Sequence, residues 1–413
     1  MDKKINTIDL FAGCGGLMDG FEKTNYYNTL ACVEWEKAPC ANLEKRLKDK
    51  WKYKNANEIV MRFDIQRTEE LFSGWQDDKD YGNGKGLDYL IGNKKLDVII
   101  GGPPCQAYSI AGRIRDKDGM KNDYRNYLFE SYLKVVNRYK PKFFIFENVP
   151  GILSAAPDGE PIIERIKKRF AESGYTILDD LKKSIIDVSE YGVPQNRKRI
   201  IILGGSKDYF GEIKAKKIVE EFYNKYLKKY KTSKMTVREA IGDLPKLLPT
   251  KEYKKNGKKY SHTFGEYKIA NHIPRYHSER DKSIFKLLEK DIEDGTNYYN
   301  STEKLKELYF QKTGKKSNVH KYYVLRWDEQ SNTIPAHLYK DGLRHIHPDP
   351  DQARSITVRE AARLQSFDDD YEFIGSMMEQ YKMIGNAVPP KFSNAIAKAL
   401  KDIFDDYVKG FNM

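Results

Sequence analysis

The chain has 413 residues, enough for two domains with cores of their own and no need of a disulfide or metal staple. Hydrophobic residues make up 39% and aromatics 13%, which excludes a disordered chain, and no apolar run approaches the roughly 18 residues of a membrane span. Lys+Arg exceeds Asp+Glu by 73 to 60, a net charge of +13 that suits a polyanionic partner.

The first 205 residues alternate short apolar runs with amphipathic stretches, the pattern of a βαβ parallel sheet. The first expected strand, Ile5–Phe11, runs into Phe11-Ala-Gly-Cys-Gly-Gly16 and then a helix. Glycines at Gly13, Gly15 and Gly16 let the backbone turn tightly under a nucleotide-like ligand. Their spacing is not the dinucleotide G-x-G-x-x-G, which disfavours a hydride-transfer enzyme. A second strand, Thr29–Val33, ends at Glu34-Trp35, where an acid can accept from ribose hydroxyls and an indole can cover an adenine face. A third, Ile59–Asp64, ends at Phe63-Asp64-Ile65, where a carboxylate can take the adenine amino group. Each acid alone reads as a solvated strand end; three at successive strand ends read better as an adenosine site.

The fourth strand, Asp97–Gly101, empties into Gly101-Gly-Pro-Pro-Cys-Gln106. A cysteine held by two prolines at the carboxyl end of a sheet strand is a poor packing residue and a good nucleophile, reactive as the thiolate. A helix follows over Tyr127–Tyr139, then a strand, Phe143–Glu147, ending in Glu147-Asn148-Val149-Pro150. Parallel strands align their carboxyl ends, so Glu147 and Cys105 should converge. No histidine lies outside residues 262–347, so acid–base work there falls to Glu147. A helix over Pro161–Ser173, closed by Gly174, precedes strands at Ser184–Val188 and Arg199–Leu203. Gln195-Asn-Arg-Lys-Arg199 sets Arg197 and Arg199 at i and i+2, on one face of the incoming strand; a solvated basic strand end is the alternative.

From Ser206 the pattern degrades into Lys-rich amphipathic pieces, with five lysines in the nine residues Lys251–Lys259. Residues 206–353 hold 31 Lys+Arg against 21 Asp+Glu, all seven histidines and 14 of the 29 tyrosines. An AT-rich coding sequence accounts for part of this composition; its concentration in a third of the chain points to a polyanion contact surface. Helical periodicity returns over Thr357–Phe367 and Lys391–Val408. The chain thus reads as one α/β domain, a basic module and a C-terminal return, with no internal repeat. Cys14, Cys32 and Cys40 form no disulfide framework or zinc set and read as packing or surface residues. With no apolar signal segment at the N-terminus, a soluble cytoplasmic protein is expected.

These motifs, in this order, resemble those of cytosine-5 DNA methyltransferases over essentially the whole length. Phe11–Gly16 resembles the family's cofactor loop, Pro103-Pro104-Cys105-Gln106 its nucleophile motif, Glu147-Asn148-Val149 its acid motif and Gln195–Arg199 its Q-x-R-x-R motif. Thr357–Gln365 is similar to the arginine-rich helix after the recognition region, and Ile384-Gly-Asn-Ala-Val-Pro-Pro390 to the last motif, which returns to the cofactor site.

The resemblance implies an α/β fold: a Rossmann-like class I methyltransferase sheet with a separate, smaller target recognition domain. The catalytic domain is expected at 1–205 plus 380–413, the recognition domain at 206–355, and a joining hinge and helix at 356–379. It implies S-adenosylmethionine as methyl donor, S-adenosylhomocysteine as product, and no metal. Cys105 would attack C6 of a flipped cytosine, Glu147 would bind its N3 edge, and Arg197 and Arg199 would hold its oxygen and nearby phosphates. Phe11, Glu34, Trp35, Asp64, Ile65, Pro104, Leu128, Asn386 and Val388 match positions around the cofactor. Ser109, Gly112 and Arg113 would belong to a loop closing over DNA, and Arg275, Arg280, Arg326, His337 and Arg344 are candidate base readers. Arg359 and Glu360 read as structural braces. Double-stranded DNA is the implied partner, with a cognate restriction endonuclease acting on the same site, no membrane, and a monomer as the acting form. The alternatives are a cytosine-5 RNA methyltransferase, disfavoured by the long basic region, and a catalytically silent binding module, disfavoured by the presence of Cys105, Glu147 and both arginines. The target sequence is not legible, because base readout depends on loop geometry.

Overall fold

Eight strands from the first half of the chain pair into one sheet in the computed structural model, which describes residues 4–104, 128–156, 159, 161–263, 269–318, 322–340 and 342–408. They are β1 (Ile5–Leu10), β2 (Tyr27–Glu34), β3 (Val60–Arg62), β4 (Val98–Gly101), β5 (Phe143–Asn148), β6 (Tyr175–Thr176), β7 (Ile185–Asp187) and β8 (Lys198–Ser206). The spatial order is β3-β2-β1-β4-β5-β8-β6, with β7 also paired to β8. β1 to β5 are parallel, with Leu10 opposite both Val33 and Gly101, and Gly101 opposite Phe146. β8 runs antiparallel to its neighbours, because a short connection from β7 leaves no room for a crossover helix. The central strands are nearly continuous apolar runs buried on both faces, as a helix-covered parallel sheet requires. Strand order reverses between β1 and β4, and a crevice at their carboxyl ends follows from that topology.

Helix Gly16–Glu22 packs so closely on helix Pro390–Tyr407 that a Cβ on Gly20 would lie 2.4 Å from the Ser393 Cβ. Ser393 Oγ donates to the Leu17 carbonyl and Asn394 Nδ2 to that of Gly20. The end of the chain is thereby seated beside the first βα loop.

Two compact units emerge: residues 1–192, 197–233 and 387–413 form one, and 193–196 with 234–386 the other. These limits differ from those drawn at 205 and 380, and 356–379 falls inside the second unit. The reason lies in the Lys-rich stretch after Ser206. Its apolar face (Ala215, Ile218, Val219, Phe222 and Tyr223) is buried, and the Tyr223 hydroxyl donates to the Ile201 carbonyl and accepts from Leu203 N–H on β8. Eight Lys+Arg against four Asp+Glu between 207 and 231 therefore belong to the sheet unit.

The second unit has a hydrophobic cluster of Ile284, Phe285, Leu288, Leu308, Tyr322, Val324, Ile346 and Ala353. Beside it runs a buried polar network. Arg354 holds Glu360 through Nη1 and Nη2 at 2.7 and 2.6 Å, and Glu360 also accepts Thr357 N–H at the start of helix Val358–Leu364. Arg359 donates to the carbonyls of Ala270, Asp368 and Tyr371. The histidines correct the composition argument: His262, His272, His277, His345 and His347 are interior, and burial pushes each below its ordinary pKa. They are neutral members of the interior rather than a contact surface. Among the described residues, no helix is long and apolar enough to cross a membrane.

Candidate active site

The loop after β1 is built by positive backbone angles: Phe11, Gly13 and Gly15 have φ of 58°, 56° and 82°. At Gly16 a side chain is excluded by contact, since its Cβ would lie 2.3 Å from the Val388 carbonyl. Gly13 N–H donates to Glu34 Oε2 at 2.9 Å, while Trp35 and Glu36 N–H both donate to Oε1 at 2.8 Å. Burial pushes the Glu34 carboxyl up and the three N–H groups pull it back. Oε1 is saturated; Oε2 keeps one lone-pair direction for another donor. The Trp35 indole beside it is 46% exposed, an unusual state for so large a ring. Asp64 is half-buried at the end of the third strand, with Oδ1 accepting Gln66 N–H. Ile65, Leu128 and Val388 are buried and Pro104 is half-buried. Beneath the loop lies Asp9, fully buried, its carboxyl pushed well up by burial and only partly drawn down by the Met18 amide. Neither of its oxygens makes a well-formed hydrogen bond among the described residues.

At the carboxyl end of β5, Arg199 Nε lies 2.9 Å from Glu147 Oε1. Burial raises the Glu147 pKa, against the charges of Arg199 and then Arg197. Gly102 faces this carboxylate, and a Cβ there would sit 2.6 Å from Glu147 Oε2. Asn148 Nδ2 donates to the Pro103 carbonyl, fastening the loop after β4 to the end of β5. Arg197 is 2% exposed and donates to the Ala387 carbonyl, next to Val388 and the glycine loop. Glu147, Arg197, Arg199, Pro104, Val388 and the glycine loop thus lie in one connected region of the first unit. Cys105, Ser109, Gly112 and Arg113 lie outside the described residues. Asn386 ends helix Met377–Asn386 in the second unit.

Sequence reasoning passed over three members of this site. Gly102 is one glycine of a Gly-Gly-Pro-Pro run, and Asn148 is the polar neighbour of the expected acid, so neither declares its part locally. Asp9 carries one local signal, an acid in an apolar strand just before a glycine loop.

The candidate base readers do not form one site. Arg344 and His337 line a cavity of about 310 Å³ with Asn332, Thr333, Pro335 and His345, whereas Arg326 lines another of about 260 Å³ beside Asn297 and Tyr323. Arg275 is spent on structure, donating to the Leu338 and Tyr339 carbonyls over the Tyr381 ring. Arg280 pairs with its neighbour Asp281. Cys14, Cys32 and Cys40 are buried, and burial pushes the Cys32 and Cys40 thiols up, as packing residues require. Among the described residues, no three His, Cys, Asp or Glu side chains are grouped to hold a metal.

A parallel sheet with an antiparallel β8, a glycine loop over an acid-ended strand and an acid–arginine pair at β5 define a doubly wound methyltransferase architecture. The profile described as C-5 cytosine-specific DNA methylase matches residues 5–402, and the chain belongs to that family of enzymes. It is 35% identical to the type II methyltransferase M.Bpa9945I of Bacillus paralicheniformis over 97% of this chain and 99% of that one. It is 32% identical to the type II methyltransferase M1.HphI of Haemophilus parahaemolyticus, over 96% and 86%. Among solved structures, the Dnmt2 methyltransferase of S. pombe shares the fold, with a TM-score of 0.53 at 15% identity, covering 98% of this chain and 99% of that one.

Proposed function

We propose that this enzyme methylates C5 of a cytosine turned out of duplex DNA within a short specific sequence, through a covalent bond between Cys105 and C6. The carrying observation is Glu147: a carboxyl raised in pKa, held by Arg199, beside the loop that leads to Cys105. C5 and C6 are unreachable in a stacked duplex, so the base must leave the helix. The Cys105 thiolate adds to C6 while the Glu147 carboxyl, protonated more readily than an exposed acid, hydrogen-bonds the N3 edge and makes C5 nucleophilic. Arg199 holds Glu147 in place and reaches the cytosine oxygen; Arg197 adds positive charge that favours the thiolate. After C5 is methylated its proton is removed, and the electrons of that C–H bond expel the Cys105 sulfur from C6.

S-adenosylmethionine supplies the methyl group in this reading. The residues fit it. The free lone pair of Glu34 Oε2 suits a ribose hydroxyl, the exposed Trp35 indole an adenine face, and Asp64 the adenine amino group. The Asp9 carboxyl, buried and only weakly engaged by the Met18 amide, sits at the end of β1 just before the loop. Phe11, Ile65, Pro104, Leu128 and Val388 complete the surround in the first unit, and Asn386 remains a position to test. Arg326, Arg344 and His337 remain the readers to test in the second unit, and Ser109 and Arg113 belong with the DNA-closing loop. The type II relatives support a role in a restriction-modification system; a bacterial cytoplasmic location, a cognate endonuclease whose cutting the methylation blocks, and a monomer as the acting form belong to the same reading.

The test is transfer of labelled methyl to unmethylated plasmid DNA, wild type beside Cys105→Ser, with bisulfite sequencing of the product. Label at C5 in one recurring sequence, absent with Cys105→Ser, is expected. Transfer to RNA and not to duplex DNA would overturn it.

A further inference from the structure

The run Lys251–Lys259 folds into a two-stranded antiparallel ribbon, Pro249–Lys255 and Lys258–His262, closed by Asn256-Gly257 with φ of 51° and 73°. Positive φ at both turn residues is what a two-residue hairpin demands. The base of the ribbon is fixed firmly. Lys282 Nζ donates to the Thr250 carbonyl, Thr263 N–H to that of Leu248, and the His262 ring bonds the Gln352 carbonyl at 2.8 Å. Its outer half is exposed. Tyr253 and Tyr260 stack across the strands with centroids 5.5 Å apart, which stiffens it.

The register sets Lys254 directly opposite Lys259 and Lys255 directly opposite Lys258. Like charges facing each other across a ladder destabilise it. Edge protection against aggregation calls for charge on an edge strand but not for like charges set directly opposite each other. Glu252 meets Lys259 at 2.9 Å, but Lys251, Lys254 and Lys258 make no ion pair among the described residues. Four lysines of the first unit behave otherwise: Lys216 meets Asp179, Lys225 meets Asp406, Lys229 meets Asp402 and Lys231 meets Glu190. Lys-rich composition therefore does not by itself leave lysines without acids.

We propose that the ribbon Pro249–His262 is a phosphate grip of this enzyme, with Lys251, Lys254 and Lys258 meeting phosphates of duplex DNA independently of sequence, Lys254 and Lys258 from opposite faces of the ribbon. A two-stranded ribbon matches the width of the major groove, whose rims are phosphates, and a polyanion relieves the opposed lysine pairs. The inference rests on DNA being the substrate.

The experiment measures DNA affinity against salt for the full chain and for a Lys251→Ala/Lys254→Ala/Lys258→Ala variant. A Lys216→Ala/Lys225→Ala/Lys229→Ala variant provides an equal change of charge at paired positions. Each lost phosphate contact lowers the slope of log K on log salt by roughly 0.9, so the ribbon variant should lose about 2.7 and bind roughly tenfold or more weakly near 0.15 M salt. Its bisulfite-mapped sequence and its rate at saturating DNA should stay those of wild type, and the control should keep the wild-type slope. A ribbon variant with unchanged slope, or a control with an equal loss, overturns the inference while the methylation assay still stands. A wild type that methylates no duplex DNA overturns the functional reading instead. Because the ribbon tip is exposed and the opposed pairs are removed, the variant should melt no lower than wild type; melting well below it would count against the ribbon being under repulsive strain.

Discussion

Each unit sets a glutamate against an arginine, and the two carboxyls are tuned in opposite directions. Glu360 receives both guanidinium Nη groups of Arg354 and the Thr357 N–H at a helix start, and its carboxyl is held far below the ordinary range. Glu147 meets Arg199 through Nε alone, and burial wins, leaving its pKa raised. A carboxylate with every lone pair engaged is a structural brace that stays ionised. One with fewer donors among the described residues, at a desolvated strand end, is shifted toward its neutral form. The difference teaches that burial beside an arginine does not fix the direction in which a carboxyl shifts; the number of donors its oxygens receive does.

Breaking each pair in turn should separate the two roles. The largest effect is expected from Glu147→Gln, which keeps the shape but cannot exchange a proton: methyl transfer should fall by about 10²–10⁴-fold. Its thermal midpoint should not drop, because a group whose charge is disfavoured in the fold loses little on becoming neutral. Calorimetry showing a large loss of stability would contradict that. Glu360→Gln should do the reverse, costing about 3–5 kcal/mol in urea unfolding by leaving Arg354 buried and unpaired. The second-unit transition should shift, with activity lost only as that unit unfolds.

A subtler change at the same acid comes from Gly102→Ala. The added methyl would stand 2.6 Å from Glu147 Oε2, so the carboxylate must move. A fall in kcat of roughly 10–100-fold with cofactor binding retained is expected, since small misplacement of a reacting group is costly. Unaltered kcat would show that Glu147 has room that this geometry denies.

The smallest effect sharpens the rule on the second unit. Glu289 is buried with neither carboxylate oxygen bonded among the described residues, and its pKa is pushed up to about 9 by burial. A carboxyl raised above its ordinary 4.5 binds more protons in the fold than in the open chain. Its stability is fully present below the ordinary value and is lost as pH rises through about 9. Thermal midpoints measured from pH 6 to 10 should fall more steeply for wild type than for Glu289→Gln. Glu360 has the opposite sign, its contribution being present above the ordinary carboxylate range and lost in acid.

Local chemistry made much of the first unit legible. Apolar runs marked β1, β4 and β5, glycines marked the loop after β1, and strand ends marked Glu34 and Glu147, because side chains at a strand's carboxyl end follow from chain direction alone. Gly102 and Asp9 escaped because their roles come from what stands opposite them in space. The boundary near 205 escaped for a related reason. A helical stretch that covers a sheet shows the same Lys-rich amphipathic pattern as one that faces a ligand, and only Tyr223 against β8 settles which it is.

The sequence by itself therefore determined the family, the succession of strands and loops in the sheet unit, and which residues stand at the strand ends, since each is written within a few neighbouring residues. Tertiary structure alone decided which charges are working and which are spent. Whether a glutamate is satisfied, a histidine neutral or a lysine paired depends on partners tens to hundreds of residues away along the chain, as Lys229 with Asp402 and Lys216 with Asp179 show.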